Sequence, residues 1–199
     1  MNNMIIASGL VTEPIFVVSA KDKNYFKFKL KVERLSGAAD EFICIANEEI
    51  AQEIKAESKI KIYGEIRTKN ITFGDKTRLI VYVLVNSLTK YESGDENHVM
   101  LKGFICKPPI IRKTPLTKID IAEVMLAVNR AENNVDYIPV ILWNQSALNL
   151  EPYGVGTKLL ISGRFQSRKY EKKHEDGSSE IKTAYEVSAF KVDELMKRI

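Results

Sequence analysis

The chain has very few of the residues that build metal centres, disulfide scaffolds and catalytic pairs. Among its 199 residues are two cysteines, Cys44 and Cys106, and two histidines, His98 and His174. None lies near another at a metal-ligand spacing, so we expect buried, reduced thiols in a cytoplasmic protein and no metal site. No serine or cysteine is placed beside a histidine as a nucleophile and its base would be, so we predict no enzyme activity and no cofactor.

Long apolar runs and a strong charge of one sign are also missing. The longest apolar run, residues 79–85, is far too short to cross a bilayer and predicts a buried strand, so no membrane partner is expected. The N-terminus lacks the charged and apolar regions of a signal peptide. The net charge is only +4, which does not by itself argue for nucleic acid.

The chain does contain the same unit twice. Four segments of the first half recur in the second half in the same order: residues 3–14 as 97–108, 26–34 as 122–130, 40–44 as 136–140, and 62–67 as 161–166. Each copy predicts three strands, a short helix, a glycine-bearing fourth strand, a polar hairpin tip and a fifth strand. This is the element order of an OB-fold barrel, so we predict an all-β protein with two tandem five-stranded OB folds.

The boundaries of these elements follow from local signals. A polar stretch at residues 93–96 predicts a linker between domains over residues 1–92 and 97–199. The helix between strands three and four is predicted over residues 48–56 in the first copy and 145–153 in the second.

Two glycines lie inside predicted fourth strands. Glycine otherwise weakens strand pairing, because it has no side chain to pack. We therefore interpret Gly64 and Gly163 as the bends where each small barrel turns a corner.

The stretch from Gly163 to Gly177 combines basic and aromatic side chains in one predicted hairpin, which turns at Asp176-Gly177. Side chains of alternate residues share one face of a strand. On one face of this hairpin they are Arg164, Gln166, Arg168 and Tyr170. Cations neutralise phosphates and a ring stacks on any base, so the face suits a single-stranded nucleic acid. The alternative is a solvated edge hairpin whose lysines oppose edge pairing.

Five segments of the second half resemble the bacterial single-stranded DNA-binding protein family, in order and at about the family's spacing: residues 97–103, 126–130, 136–143, 161–170 and 185–187. The resemblance implies sequence-independent binding and protection of single-stranded DNA in replication, repair or recombination. Two alternatives stay open, namely a protein-protein adaptor of the replication-restart type with weak nucleic-acid binding, and an RNA-binding barrel.

The resemblance also implies a binding site. Aromatic residues that match the family's base-stacking positions are Tyr137, Trp143 and Tyr170. The basic residues Arg164, Arg168 and Lys169 fall where the family places phosphate contacts, and we expect Lys172 and Lys102 to neutralise phosphates as well. The strand period supports this, because Tyr137 and Trp143 fall on the face opposite the apolar residues of strand three. Either ring could instead pack against the barrel or at a subunit interface.

The first half fits the family only as a diverged copy. At the three stacking positions it has Glu41, Asn47 and Ile71, so base binding there is doubtful. A secondary contact with the DNA backbone would involve Lys27, Lys29, Lys31, Arg67 and Lys69. The interpretation we favour for the lysine row is an ordinary solvent-facing strand.

The chain also departs from the family at one loop and at its end. The loop between Arg130 and Asp136 is short, so less DNA should be wrapped. The sequence stops at Ile199 without a Gly/Pro/Gln-rich linker and acidic tip, so recruitment of enzymes by an acidic C-terminal tail is not expected. By analogy with one-barrel tetramers, two barrels per chain imply a homodimer with four OB folds.

Overall fold

The computed structural model describes residues 2–12, 16–20, 23–74, 76–131, 133–174 and 177–196, and most of them lie in strands. Asp176, which belongs to the predicted hairpin turn, lies outside the described residues. The strands of the first half are β1 (Asn3–Val11), β2 (Phe16–Ala20), β3 (Lys23–Glu33), β4 (Ala39–Asn47), β5 (Lys59–Phe73) and β6 (Lys76–Lys90). Those of the second half are β7 (Glu96–Ile105), β8 (Ile110–Lys113), β9 (Asp120–Asn129), β10 (Val135–Trp143), β11 (Lys158–Lys173) and β12 (Ser179–Met196).

Each half closes into a five-stranded barrel. In the first half β1 pairs with β3 and β5, β3 pairs with β4, and β5 pairs with β6. A parallel pairing of β4 with β6 closes the ring. The second half repeats this pattern with β7, β9, β10, β11 and β12. This is OB-fold topology, so the predicted pair of tandem barrels is confirmed. The short strands β2 and β8 add an edge to each barrel and were not predicted.

The helices lie where they were expected but are only one turn long. They are α1 (Glu48–Ala51) and α2 (Gln145–Leu148), so the predicted extents of 48–56 and 145–153 are wrong. After Ala51 the N–H groups of Glu53 and Ile54 donate to carbonyls three residues back, at 3.2 and 3.1 Å. This tightening ends the α-helix and turns Ile54, which is 5% exposed, into the core.

Both predicted corner glycines coincide with an irregularity in strand pairing. The β5–β6 register shifts between Tyr63 and Gly64, and the β11–β12 register shifts between Ser162 and Gly163. A Cβ atom on either glycine would lie 2.3 Å from a carbonyl oxygen of the neighbouring strand. Only a residue without a side chain allows the strands to approach this closely, which supports the interpretation as barrel corners.

The two barrels share one sheet and one core. Strands β1 and β7 pair antiparallel from Asn3 opposite Leu101 to Ser8 opposite Glu96. The rings of Phe42 in the first barrel and Phe165 in the second lie 5.1 Å apart. Strand β7 begins at Glu96, the last residue of the predicted linker, and the domain boundaries themselves stay a prediction.

An approximate two-fold axis relates the barrels, because β1 and β7 are equivalent strands that pair antiparallel. Equivalent asparagines make equivalent bonds on either side of it. The side-chain amide of Asn3 exchanges two hydrogen bonds with the backbone of Ile66, at 2.6 and 3.0 Å. That of Asn97 does the same with Phe165, at 2.7 and 2.9 Å. Each asparagine thus fixes the fourth strand of its own barrel.

Candidate nucleic-acid interface

The outer face of β10 carries two of the three predicted stacking residues. Ile138, Val140 and Leu142 are fully buried, so the alternate residues point away from the core, as the strand period predicts. Tyr137 is 43% exposed. Trp143 is half-buried, and its indole N–H donates a 2.9 Å hydrogen bond to Oγ of Ser188 on β12. This bond fixes the orientation of the ring at the surface.

The outer face of β11 carries two of the predicted basic residues, Arg164 and Arg168. Arg168 lies 5.9 Å from the ring centroid of Tyr170, which is 39% exposed, in a cation–π arrangement. Its Nε atom also donates to a carboxylate oxygen of Glu186 at 3.2 Å. The same oxygen accepts from Gln166 at 2.9 Å. The Arg168 charge is therefore partly balanced and its side chain is held beside Tyr170.

Arg164 occupies a less compensated position on the same face. Its guanidinium lies 5.6 Å from the ring centroid of the exposed Phe190. Burial lowers the pKa of Arg164, and the nearby charge of Arg34 lowers it further, while Asp40 opposes the change. Within the described part of the chain its buried Nε atom has no hydrogen-bond partner. An anion bound at this surface would compensate the partly buried charge of Arg164 and accept a hydrogen bond from its Nε atom.

Strand order places these two outer faces side by side. Strand β12 pairs with both β10 and β11, so Ser188 lies opposite Ile141 on one side and Arg164 on the other. Trp143 and Arg164 therefore flank Ser188 at one end of a common face. Tyr137 and Tyr170 are each six residues away along their strands, or about 20 Å at the rise of a β-strand. Because β10 is parallel and β11 antiparallel to β12, the two strands run in opposite directions, and both tyrosines lie toward the other end of the face.

The three remaining predicted lysines lie in two places. Lys169 and Lys172 are exposed on the hairpin that β11 and β12 extend beyond the barrel. We call residues 166–186 of this hairpin the second arm, and the equivalent residues 67–82 of β5 and β6 the first arm. Lys102 is half-buried on β7, opposite Leu160, and lies in the central sheet away from either arm.

Most of the predicted secondary residues of the first barrel are already paired. Lys29 forms an ion pair with Glu41 at 3.1 Å and Lys31 with Glu33 at 3.2 Å. Lys27 is half-buried on the same strand, β3, and Lys69 is exposed on the first arm. The side chain of Arg67 is only 14% exposed, because it is directed into the junction between the barrels.

That junction contains a buried polar network that our sequence analysis missed. Asp136 is fully buried. Its carboxylate accepts from Nη1 of Arg67 at 3.0 Å and from the backbone N–H of Thr68 at 2.7 Å. Nε of Arg130 lies 3.5 Å away. Oγ1 of Thr68 in turn accepts from the backbone N–H of Tyr137 at 2.9 Å. These contacts hold β10, the strand that carries Tyr137, against the first barrel.

The equivalent network on the other side of the two-fold axis holds the second arm against β4 of the first barrel. The buried carboxylate of Asp40 accepts from Nε of Arg34 at 2.7 Å and from the backbone N–H of Ser167 at 3.0 Å. Oγ of Ser167 accepts from the backbone N–H of Glu41 at 3.0 Å. A signal for both networks was present in the sequence, because an arginine and an aspartate six residues later occur at the same place in each copy.

Other kinds of site find no support in the described ranges. No group of His, Cys, Asp or Glu side chains there could hold a metal ion. His174 contacts Glu180 at 3.0 Å on the second arm, and His98 lies on β7. None of the helices in those ranges is long and apolar enough to cross a membrane.

The chain is similar to known proteins in sequence and in fold. The model of the Single-strand binding protein family matches residues 96–195. The single-stranded DNA-binding protein of Clostridium tetani is 39% identical over 83 residues, which are 39% of this chain and 57% of the relative. Single-stranded DNA-binding protein 2 of Streptococcus agalactiae serotype V is 33% identical over 103 residues, or 48% of this chain and 76% of that protein. The chain thus spans just over half the length of the Clostridium relative.

The fold likeness extends over both barrels. The crystal structure of the wild-type single-stranded DNA binding protein from Thermus aquaticus superposes with a TM-score of 0.77, covering 99% of this chain and 94% of that chain. The sequence identity is 16%, so this is a likeness of fold. It includes the first barrel, which lies outside the range of the family model.

Proposed function

Because the chain belongs to the single-strand binding protein family, we propose that it binds and protects single-stranded DNA without reading its sequence. The relatives are named for binding such DNA. The processes in which single strands arise are replication, repair and recombination, and the cytoplasm is the proposed place of action. The role is binding, without catalysis, metal or cofactor.

The observation that carries this proposal is the common outer face of β10, β12 and β11. Aromatic side chains on this face would stack on bases, each contributing ~1–3 kcal/mol. They are Tyr137, Trp143 and Tyr170. Neighbouring cations would neutralise phosphates and release counterions. They are Arg164, Arg168, Lys169 and Lys172. Lys102 does not belong to this face, because it lies opposite Leu160 on the outer face of the central sheet. Stacking and charge do not read base edges, which explains the lack of sequence preference.

The secondary contacts predicted in the first barrel fit this function less well. The charges of Lys29, Lys31 and Arg67 are each balanced by a carboxylate. A phosphate would have to displace those partners. Lys69 is exposed on the first arm and stays a candidate for backbone contact.

We also propose that two copies associate through the outer face of the central sheet. The face presents Met4 and Ile6 on β1 and Met100 and Leu160 on β7 and β11, none of them buried. Met4 lies directly opposite Met100 in the β1–β7 ladder, beside the approximate two-fold axis. A second copy would cover this apolar surface and give an assembly of four OB folds.

The test is fluorescence anisotropy of labelled oligonucleotides of equal length: oligo-dT, oligo-U and duplex DNA, at several salt concentrations. We expect tight binding of oligo-dT that weakens as salt rises, and little binding of duplex. Preference for oligo-U would identify an RNA-binding protein instead. No binding of oligo-dT at low salt would refute the proposal. The adaptor alternative is not favoured, because the relatives carry the name of single-stranded DNA-binding proteins.

A further inference from the structure

A cleft of about 700 Å³ lies between the two arms, on the approximate two-fold axis of the chain. Its floor includes Ile43 on β4 and Pro139 on β10, which occupy equivalent positions in the two copies. Its walls include Arg78 on the first arm and Lys182 on the second. These cations are also equivalent. Val83, five residues after Arg78, pairs with the core residue Ile66, and Val187, five residues after Lys182, pairs with the equivalent core residue Phe165.

The cleft is continuous with the proposed DNA-binding face. Pro139 lies between Tyr137 and Ile141 on the outer face of β10, and Tyr170 forms part of the cleft wall. A DNA strand whose bases stack on Tyr137 and Tyr170 therefore borders the cleft directly. Beyond Tyr170 the wall offers apolar side chains of partial or high exposure: Leu79, Ile80 and the 68% exposed Ile181.

The charges around the cleft favour a polyanion. Its two carboxylates are both occupied, Glu186 by Gln166 and Arg168, and Glu180 by Lys182 at 2.7 Å. Arg78 is exposed and forms no ion pair with a carboxylate in the part of the chain that the structure describes. Further exposed lysines on the arms form no ion pair with any described residue: Lys69, Lys76, Lys169, Lys172 and Lys173.

We infer that single-stranded DNA passes through this cleft from the second arm to the first, with Arg78 contacting a phosphate and bases lying against the apolar floor. The inference rests on the proposed function and extends it, because it makes the first barrel part of the binding site although that barrel lacks the stacking residues. An extended peptide that paired with the free edges of β6 and β12 is the competing occupant. The cations that lack an ion pair among the described residues, and the continuity with Tyr170, favour DNA.

The first test compares two charge reversals in the full chain, Arg78→Glu and the control Lys55→Glu. Lys55 is exposed in the turn after α1 and belongs to neither arm. Binding is measured with oligo-dT of about 8 and about 32 nucleotides, chosen from site sizes of about 4–16 nucleotides per OB fold. We expect Arg78→Glu to weaken binding of the long oligonucleotide several-fold and to lower the slope of log K against log salt by about 0.7. Lys55→Glu should leave both unchanged.

The outcomes separate this inference from the proposed function. If the wild-type chain binds no oligo-dT of either length, the proposed function fails. If it binds, and Tyr170→Ala weakens binding while Arg78→Glu behaves like Lys55→Glu, only the cleft is excluded from the DNA path. Equal urea midpoints for the variants would show that none of these effects comes from unfolding.

A second measurement places a reporter inside the cleft. In the double variant Trp143→Phe, Ile181→Trp the only tryptophan lies on the cleft wall. Oligo-dT of the longer length should quench its emission in parallel with the anisotropy change. Saturating anisotropy with unchanged emission would show that DNA binds elsewhere and would leave the cleft to a peptide.

Discussion

Oδ1 of Asp136, on β10 of the second barrel, accepts a 2.7 Å hydrogen bond from the backbone N–H of Thr68, on β5 of the first. Thr68 returns the contact through Oγ1, which accepts from the N–H of Tyr137 at 2.9 Å. The first barrel therefore helps to position β10, the strand that carries the proposed stacking residue Tyr137. Together with the equivalent contact of Asp40 with Ser167, at 3.0 Å, it sets where β10 and the second arm lie.

Removing the buried carboxylate should destabilise the whole chain. We expect Asp136→Ala to lower the free energy of unfolding by ~3–5 kcal/mol, because it leaves the buried Thr68 amide without its acceptor and the Arg67 guanidinium with Glu65 as its remaining carboxylate partner. Urea denaturation measures this. The control is Asp193→Ala, which breaks an exposed ion pair with Lys191 and should cost less than ~1 kcal/mol. Similar midpoints for both variants would contradict the role given to Asp136.

The barrel corners should not tolerate a side chain. In Gly64→Ala and Gly163→Ala the new Cβ would lie 2.3 Å from the carbonyl oxygen of Leu84 or Ser188. We expect each substitution to cost at least ~1–3 kcal/mol in the free energy of unfolding. Gly154→Ala is the matched control, because its Cβ would meet no atom within 4 Å. A loss as large in the control would show that the corners are not special.

The proposed dimer should separate when a charge is placed in its interface. We expect Met100→Glu to convert a dimer into a monomer, because a carboxylate would be buried without a partner. Sedimentation velocity gives the mass in solution. Leu116→Glu makes the same kind of change at a residue that is 94% exposed, and should leave the dimer intact. A wild-type monomer would disprove the proposed assembly.

The two thiols should differ in reactivity. Burial raises the pKa of both Cys44 and Cys106, so less reactive thiolate is present at neutral pH. Cys44 is fully buried, whereas Cys106 is partly exposed. With an aromatic disulfide reagent we expect the native chain to lose one thiol slowly, and faster as pH rises toward the Cys106 pKa. Cys106→Ser should be unreactive until urea unfolds it. Rapid reaction of two thiols would show that the core around Cys44 opens.

The internal repeat made the fold predictable. Strand alternation and the position of Gly64 and Gly163 fixed the order of elements and the two corners, since both depend on local chemistry. The lengths of the helices were not predictable, because α1 ends where Ile54 turns into a core built by distant strands. The edge strands β2 and β8 were missed for a similar reason, as each is defined by its pairing with a neighbour.

The predicted site residues were found from strand period and family resemblance, both of which can be recognised in the linear sequence. The junction between the barrels depends on contacts between residues more than sixty positions apart, such as Arg67 with Asp136. No local pattern distinguishes that arginine from a surface cation. The cleft between the arms likewise exists only once two hairpins are placed on either side of the two-fold axis.

The most direct test of base stacking on the outer face of the second barrel uses the single tryptophan of the chain. Oligo-dT is titrated into the wild-type protein, Tyr170→Phe and Tyr170→Ala while Trp143 emission and the anisotropy of labelled oligo-dT are both recorded. The account predicts strong quenching in all three, with affinity retained in Tyr170→Phe and lowered by ~1–3 kcal/mol in Tyr170→Ala. Full binding by anisotropy with unchanged Trp143 emission and no loss in Tyr170→Ala would contradict it.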